Sequence, residues 1–557
     1  MFEGFAVEVK PDADAFIRLV TGAGNPKRVH FVELFLDLTV EADVAKRFGL
    51  ADGLDPSAPF YELARRTRVQ EFLGYDFVYE YHLDGLNFPR ELVGYTDDTA
   101  PPEVSRGQRG WVNEQKGPVT TWREFEEYPW PEPGKVDEAA SDQVARRLLG
   151  NADRVAGGFG AAPKFVIPAL IEYASLRRAR QRPDLYEHAL FTVGQIIDGP
   201  LYDRRGGGVH RMAARPMWKG IQYEKLLTVN TALVRDLTYA LREQPGHPTL
   251  TRALEQTCAF VVRVLSRPEG GFYLAQAADG TSDDGGGYWR GDSAEGEPPP
   301  VDRLVLSGPN ALAGAALVRA GLTLGNDRLV SAGRGALDLV VAEGYSPGRG
   351  VRHVLEPNPG DRLYLTAQAD AALGLLDGYE TLGNPRYLEL ARDIVETAWL
   401  NLKHEGEALL RDYIPGPTPI GLLARPRHPL RPNLRIARAL IRLDLHGAGT
   451  IYRERAGSIL EAVSGDLGRY GMLASELVLA VEEFIRGPLV IRLPAGDDPT
   501  ALSLRRAAAI STWPWSVSVT RKDTTAMGAE LVWRDRSLAV ATAEELPAAI
   551  VAVTGAE

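Results

Sequence analysis

The sequence predicts a mainly α protein: an (α/α)6 toroid over residues 136–486, preceded by a truncated α/β segment over 1–135 and followed by a small α/β tail over 487–557. Three observations predict it. Between 136 and 486, helix-length stretches succeed one another with apolar residues at helical spacing, as in Leu363, Ala367, Ala371, Leu375 and Tyr379. Glycine-rich loops fall on alternate connections, the arrangement that puts all of them on one rim of a ring of helix pairs. Strand-like text is confined to the two ends.

In the N-terminal segment, Arg28 to Leu36 and Asp76 to Glu80 read as strands, and Thr39–Phe48 and Phe60–Leu73 as helices. Residues 84–120 read as irregular. The alternation stops well short of the roughly 250 residues of a (β/α)8 barrel. The toroid helices are then expected at Asp137–Leu149, Pro168–Gln181, Asp184–Ile197, Tyr223–Arg242, Thr249–Ser266, Pro309–Leu324, Asp327–Glu343, Leu363–Leu382, Pro385–Leu402, Pro432–Leu445, Ile451–Val463 and Gly468–Arg486. Gly325-Asn326 and Gly383-Asn384-Pro385 each close one helix and open the next. Residues 280–300, rich in Gly, Asp and Pro, read as a long mobile loop. In the tail, Pro488–Leu493, Ser516–Val519 and Glu530–Trp533 read as strands and Pro499–Ala508 as a helix.

Composition narrows the function classes. The 557 residues are 45% hydrophobic and 25% charged, which is ordinary for a globular chain. The formal net charge of −11 gives no pull toward phosphate backbones or anionic membranes, so no nucleic-acid or membrane partner is expected. No stretch approaches the ~20 apolar residues of a membrane helix. The start of the chain has no basic, apolar leader pattern, and the expectation is a cytoplasmic protein. The lone Cys258 allows neither an internal disulfide nor a cysteine-rich zinc site. His30 and Glu33, three apart in strand-like text, fall on opposite faces and make no metal pair. Neither a Walker loop nor a dinucleotide fingerprint occurs, so neither metal nor cofactor is expected.

Chemistry concentrates in the glycine-framed loops: Gly157-Gly158-Phe159-Gly160-Ala161-Ala162-Pro163-Lys164-Phe165, Asp203 to Arg211 around Gly206-Gly207-Gly208, and Glu269-Gly270-Gly271-Phe272-Tyr273. With Tyr223-Glu224-Lys225-Leu226-Leu227 and Gly374-Leu375-Leu376-Asp377-Gly378-Tyr379-Glu380, these loops, in this order, resemble the spermatogenesis-associated protein 20-like family of thioredoxin-domain proteins. The resemblance runs from about 136 to the end and implies a six-hairpin glycosidase-like domain similar to sugar epimerases of the N-acylglucosamine 2-epimerase type. The family's thioredoxin domain is missing here. Gln222 stands where the family has a histidine, and Ala367-Gln368-Ala369 where it has Asp-Tyr-Ala. The expectation is therefore a carbohydrate-active or carbohydrate-binding protein with weak or lost catalysis, and a non-catalytic scaffold is the alternative. Residues 25–135, through Arg28 to Phe35, Leu73 to Val78 and Gly117 to Pro131, instead resemble the start of uroporphyrinogen decarboxylase-like proteins. That implies porphyrin- or corrinoid-linked chemistry as a further alternative, on a fraction of a barrel.

If the toroid acts on reducing sugars, a base must take a proton next to a carbonyl and an acid must return one. His210, presented by three glycines, is the candidate base, with Glu224 the second catalytic candidate. A loop histidine capping a turn is the competing reading. Arg211 suits an anionic oxygen. Asp203, Tyr223, Lys225 and Glu269 are candidate substrate contacts, and Trp218 and Tyr273 candidate stacking platforms. Phe272, Tyr288 and Trp289 offer the same surface, although aromatics this frequent also fill cores.

Overall fold

The computed structural model describes residues 11–21, 28–32, 36, 38–56, 61–78, 92–96, 108–112, 123, 136, 138–167, 170–178, 182–280, 284–290, 297–356, 362–414, 427–465, 473–495, 498–511, 516–520 and 528–555. It divides into two compact units, Met1–Arg90 and Glu91–Glu557. The change of sequence character near 135 does not coincide with that division.

In the first unit, α1 (Ala13–Val20), α2 (Leu38–Arg47) and α3 (Tyr61–Phe72) are described, and α2 packs on α3. The buried Glu41 carboxylate is flanked by Arg65 and Arg66 at 3.1 and 3.0 Å. No strand forms among the described residues around 28–36 or 76–80. One backbone bond, from Asp76 N–H to Phe31 O at 2.9 Å, joins these segments, and the Asp76 carboxylate instead gathers the Asp12 and Phe31 N–H groups and the Arg28 guanidinium. Burial opposes ionisation of Asp76, but those donors outweigh it and hold its carboxyl well below the usual range. Most of the text carrying the decarboxylase-like resemblance beyond Val78 lies outside the described residues.

The second unit opens with an antiparallel hairpin, β1 (Leu92–Thr96) and β2 (Gln108–Val112), in a stretch expected to be irregular. A closed ring of helices follows. The inner helices are α5 (Leu170–Arg178), α7 (Leu227–Glu243), α10 (Ser307–Leu324), α12 (Leu365–Leu382), α14 (Leu430–Leu445) and α16 (Ala474–Arg486). Each packs on the next, and α16 returns to α5. Outside them lie α4 (Glu138–Gly150), α6 (Pro183–Asp198), α8 (Pro248–Val264), α11 (Asp327–Leu339), α13 (Pro385–Leu402) and α15 (Ile451–Val463). All but α4 pack on the inner helix that precedes them, while α4 rests against α16 and α6. This alternation around a closed ring is the (α/α)6 toroid.

Local chemistry sets the helix ends. Gly325 and Gly383 end α10 and α12 in the left-handed region at φ +65° and +74°. The Asn326 and Asn384 side chains then accept from the first N–H groups of α11 and α13. The inner helices are buried nearly all round, as α12 shows from Leu365 to Thr381.

A polar clamp recurs at the fourth residue of four inner helices. Asn230 accepts from Val209 N–H and donates to Val209 O, at 2.8 and 3.0 Å. Asn310 does the same to Phe272, Gln368 to Val351 and Asn433 to Leu410. Each also donates back to the carbonyl four residues earlier. A side-chain amide thus acts as a strand partner, satisfying loop backbone that would otherwise be buried without bonds. The glycine loops before Val209 and Phe272 are held this way, whereas in the first loop Gly158 is held by Thr192 and His188.

The tail forms a four-stranded sheet in the order β11 (Ser516–Thr520), β10 (Leu489–Leu493), β12 (Ala529–Trp533), β13 (Arg536–Val540), with α17 (Pro499–Ala509) crossing over between the parallel β10 and β11. β13 and the final α18 (Leu546–Thr554) go beyond the sequence expectation. α17 packs on α10 and α12, and its Ala509 carbonyl accepts from Arg242 and Arg319.

Candidate functional site

Two loops preceding inner helices share one construction. In the first, the Asp153 carboxylate accepts from Val155 and Ala156 N–H, and Lys164 Nζ donates to Asp153 at 2.7 Å and to Gly157 O at 2.7 Å. In the second, Asp203 accepts from Arg205 and Gly206 N–H, and Lys225 Nζ donates to Asp203 at 2.5 Å and to Gly207 O at 2.7 Å. Burial works against the Asp203 charge, but the Lys225 ammonium and the two N–H groups hold the carboxyl below its usual value. Burial draws the ammonium below its own usual value, and Asp203 resists that. Lys225 also lies 4.3 Å from the centre of the Phe260 ring. Gly208, at φ +79°, must be glycine: a Cβ there would stand 2.5 Å from Asn230 Oδ1 and 2.9 Å from Phe260.

The second loop delivers His210. The residue is 2% exposed, and its Nδ1–H donates to Tyr223 O at 2.9 Å, a bond that selects the tautomer with the lone pair on Nε2. Burial, reinforced by the nearby Lys225 charge, lowers its pKa to about 4, so the imidazole is neutral at pH 7. Tyr223 and Trp289 lie nearly parallel, 5.7 Å apart and 10° between planes, and His210 meets both edge-on at 4.9 and 5.0 Å.

Trp289 comes from α9 (Gly287–Arg290), a single turn within the segment expected to be a mobile loop. Its described part is folded because Asp279 accepts from Tyr288 N–H at 2.7 Å and donates its own N–H to Gly285 O. Gly286 permits the close approach, since a Cβ there would lie 2.3 Å from the Tyr223 ring. Arg290 donates to the Tyr223 hydroxyl at 3.3 Å and pairs with Asp284 at 2.6 Å. Together these groups line a cleft of about 480 Å³, whose wall includes Asp203, His210, Tyr223, Trp289 and Arg290, with Arg204 and Arg205 beside them.

The structure thus brings together His210, Tyr223 and Asp203 of the expected set. Tyr223 and Glu224 do not open a helix, because Lys225 and Leu226 form β5, which pairs with β6 (Ala275–Gln276) and starts α7 only at Leu227. Glu224 pairs with Arg211 at 3.7 Å, and neither lines the cleft. Trp218 is buried against the first loop, its indole N–H donating to Ala156 O at 2.6 Å. Glu269 is exposed and paired with Arg267 at 3.1 Å, and Tyr273 packs on the Val305, Leu339 and Leu355 cluster. Trp289 and Arg290 carried only a composition signal, and their contact with Tyr223 spans more than sixty residues of sequence. No group of three metal-ligating side chains occurs among the described residues, and none of their helices is long and apolar enough to cross a membrane. Burial pushes the Cys258 thiol up, far from a reactive thiolate.

No family model matches the chain. Its sequence is similar to spermatogenesis-associated protein 20 of Mus musculus, at 30% identity over 132 residues, and of Homo sapiens, at 28% over 134. Each match takes in 23% of this chain and 17% of the relative, so the chain matches about a sixth of those relatives' length. Among solved structures it is similar to a sugar epimerase from a ruminal bacterium (TM-score 0.47, 14% identity, 58% of this chain and 86% of that one). A D-mannose isomerase gives a TM-score of 0.46 at 12% identity, over 63% of this chain and 99% of that one.

Proposed function

We propose that the cleft beside His210 binds a reducing sugar and that His210 moves a proton on the carbon next to its carbonyl. The observation that carries this reading is the state of the imidazole. It is neutral, its tautomer is held by Tyr223 O, and its remaining nitrogen has no partner among the described residues. A base must offer a lone pair at working pH, which this one does, but a pKa of about 4 lies below the near-neutral value that suits proton abstraction best, so the bound sugar must supply an activated C–H. The parallel Tyr223 and Trp289 rings supply apolar faces of the kind that pack against the C–H face of a sugar. Arg290 is paired with Asp284 and Asp203 with Lys225, so Arg204 and Arg205, beside Asp198, are the wall groups that suit an acidic substituent on the sugar.

One base has a stereochemical consequence. Returning the proton on the face from which it left exchanges hydrogen, or moves it to the neighbouring carbon. Inverting a centre needs a second carrier on the opposite face. Glu224 does not line the cleft, so the reading favours exchange or aldose–ketose isomerisation over epimerisation. A binding domain without turnover is the second reading. It is favoured by the commitment of Asp203 to Lys225, which leaves the cleft wall with one fewer free carboxylate.

The test is solvent deuterium incorporation into a panel of neutral and acidic reducing sugars, read by NMR. Label is expected next to the carbonyl with the wild type and at least ~100-fold slower with His210→Gln. Folded wild-type protein that binds a sugar but gives no label would replace the catalytic reading with the binding one.

A further inference from the structure

A second polar site lies on the axis of the toroid, remote in character from the aromatic cleft. The inner helices, elsewhere apolar, send guanidinium groups into the ring: Arg235 from α7, Arg319 from α10, and Arg438 and Arg442 from α14. These four line a cavity of about 30 Å³ together with Asp377 and Tyr239.

Counting charge around it leaves a surplus. Glu172 takes Arg235 at 2.9 Å and Arg438 at 2.6 Å, and Glu483 takes Arg438 again. Asp377 takes Arg442 at 2.7 Å, and Glu380 lies 3.5 Å from the same residue. With Arg242 alongside, five guanidiniums meet four carboxylates. Arg319 is the poorly matched one: it reaches Asp377 only at 3.8 Å, and otherwise donates to Ala509 O, which Arg242 shares. The end of α17 offers about half a negative charge there. Asp236 forms no ion pair with any of the five among the described residues, and burial pushes its carboxyl well above the usual range.

An uncompensated buried charge is costly, and proteins resolve it by pairing or by binding a counter-ion. Unmet donors point the same way. Arg442 is 8% exposed, lines the cavity, and its Nε is buried without a hydrogen-bond partner, while the likewise unbonded Glu380 Oε2 lies 3.5 Å from its other end, at Nη2. We propose that this axial cavity binds one monatomic anion, chloride under ordinary ionic conditions, held by Arg319 and Arg442 and balancing the ring's charge. Size decides against oxyanions, because about 30 Å³ suits one or two water-sized occupants.

The experiment compares melting temperature in sodium chloride and in sodium gluconate at constant ionic strength, for the wild type and Arg319→Leu. A saturable rise of about 2–4 °C with chloride is expected in the wild type and none in the variant, whose cavity has lost the surplus cation. A crystal of the wild-type chain grown in bromide should show one anomalous peak on the toroid axis. A chloride response equal in both proteins would reduce the effect to general salt action and overturn the proposal. An axis without a bromide peak would overturn it as well, whether or not the variant folds.

Discussion

The loops at Asp153–Lys164 and Asp203–Lys225 are the same device put to two uses. Each begins with an aspartate that collects the N–H groups two and three residues on, turns through Gly157-Gly158 or Gly207-Gly208, and is sealed by a lysine that spans carboxylate and carbonyl. They diverge seven residues after the aspartate, where the first has Gly160 and the second His210. They also differ in what lies between turn and lysine. The second loop carries the β3 (Met212–Arg215) and β4 (Lys219–Gln222) hairpin, whose Ala213 pairs with Lys164 and whose Trp218 fills the first loop. The staple is therefore a structural frame, and of the two loops only the second places an ionisable side chain at the divergent position.

The sharpest break is to remove each lysine. In the second loop both partners are nearly sealed, Lys225 and Asp203 showing 1% and 5% of their side chains, whereas Asp153 shows 20%. Lys225→Met strands a buried carboxylate and should cost about 3–5 kcal/mol in urea unfolding. Lys164→Met leaves Asp153 with water and should cost about 1–3 kcal/mol. Equal losses would mean that solvent at Asp153 does nothing to soften the break.

The next contrast is pH, because only the second loop carries a titrating group at its divergent position. His210 has a folded pKa of about 4 against an ordinary 6.5, so the unfolded chain binds its proton first as pH falls. Its contribution to stability is complete above pH 6.5 and declines as pH drops toward 4, by about 3 kcal/mol in all. The carboxylates of the two staples are also below their ordinary value of 3.8 and act only at lower pH. Urea midpoints from pH 7 to 4 should fall more steeply for the wild type than for His210→Gln. Parallel curves would show that the imidazole is hydrated enough to titrate normally.

The same two loops measure what sequence can disclose. The toroid was legible because helix punctuation is local: Gly325-Asn326 and Gly383-Asn384 act within four residues, and the observed ends fall where they predict. His210 stood out because three glycines precede it. The lysine staples were not legible as staples, since Lys164 and Lys225 follow their aspartates by different intervals and an inserted hairpin hides the parallel. The clamp at the fourth residue of the inner helices did leave a signal, a buried-helix amide at Asn230, Asn310, Gln368 and Asn433. Gln368 appeared only as the loss of an expected neighbour pattern, whereas its amide holds Val351 from both sides. Trp289 was named only as one of several possible stacking aromatics, and its placement was the hardest to foresee, because it depends on Asp279 folding a glycine-rich stretch whose composition suggests motion.

Trp289 gives the finest test of the comparison, because the first loop has nothing corresponding to it. Its turn is anchored by Asp279 and by the Arg290–Asp284 pair, not by the indole. Trp289→Ala should therefore leave global stability within about 1 kcal/mol while removing the ring that lies parallel to Tyr223. Stacking on a sugar face is worth about 0.5–1.5 kcal/mol, so affinity for a bound sugar should weaken by about 3–10-fold in titration calorimetry. The imidazole, stripped of one edge contact, gains water, and its pKa should rise from about 4 toward 6.5 in an NMR titration of the His210 ring. A pKa that stays near 4 while affinity falls would assign the depression to Lys225 and the loop frame alone, with the aromatic pair serving only the ligand.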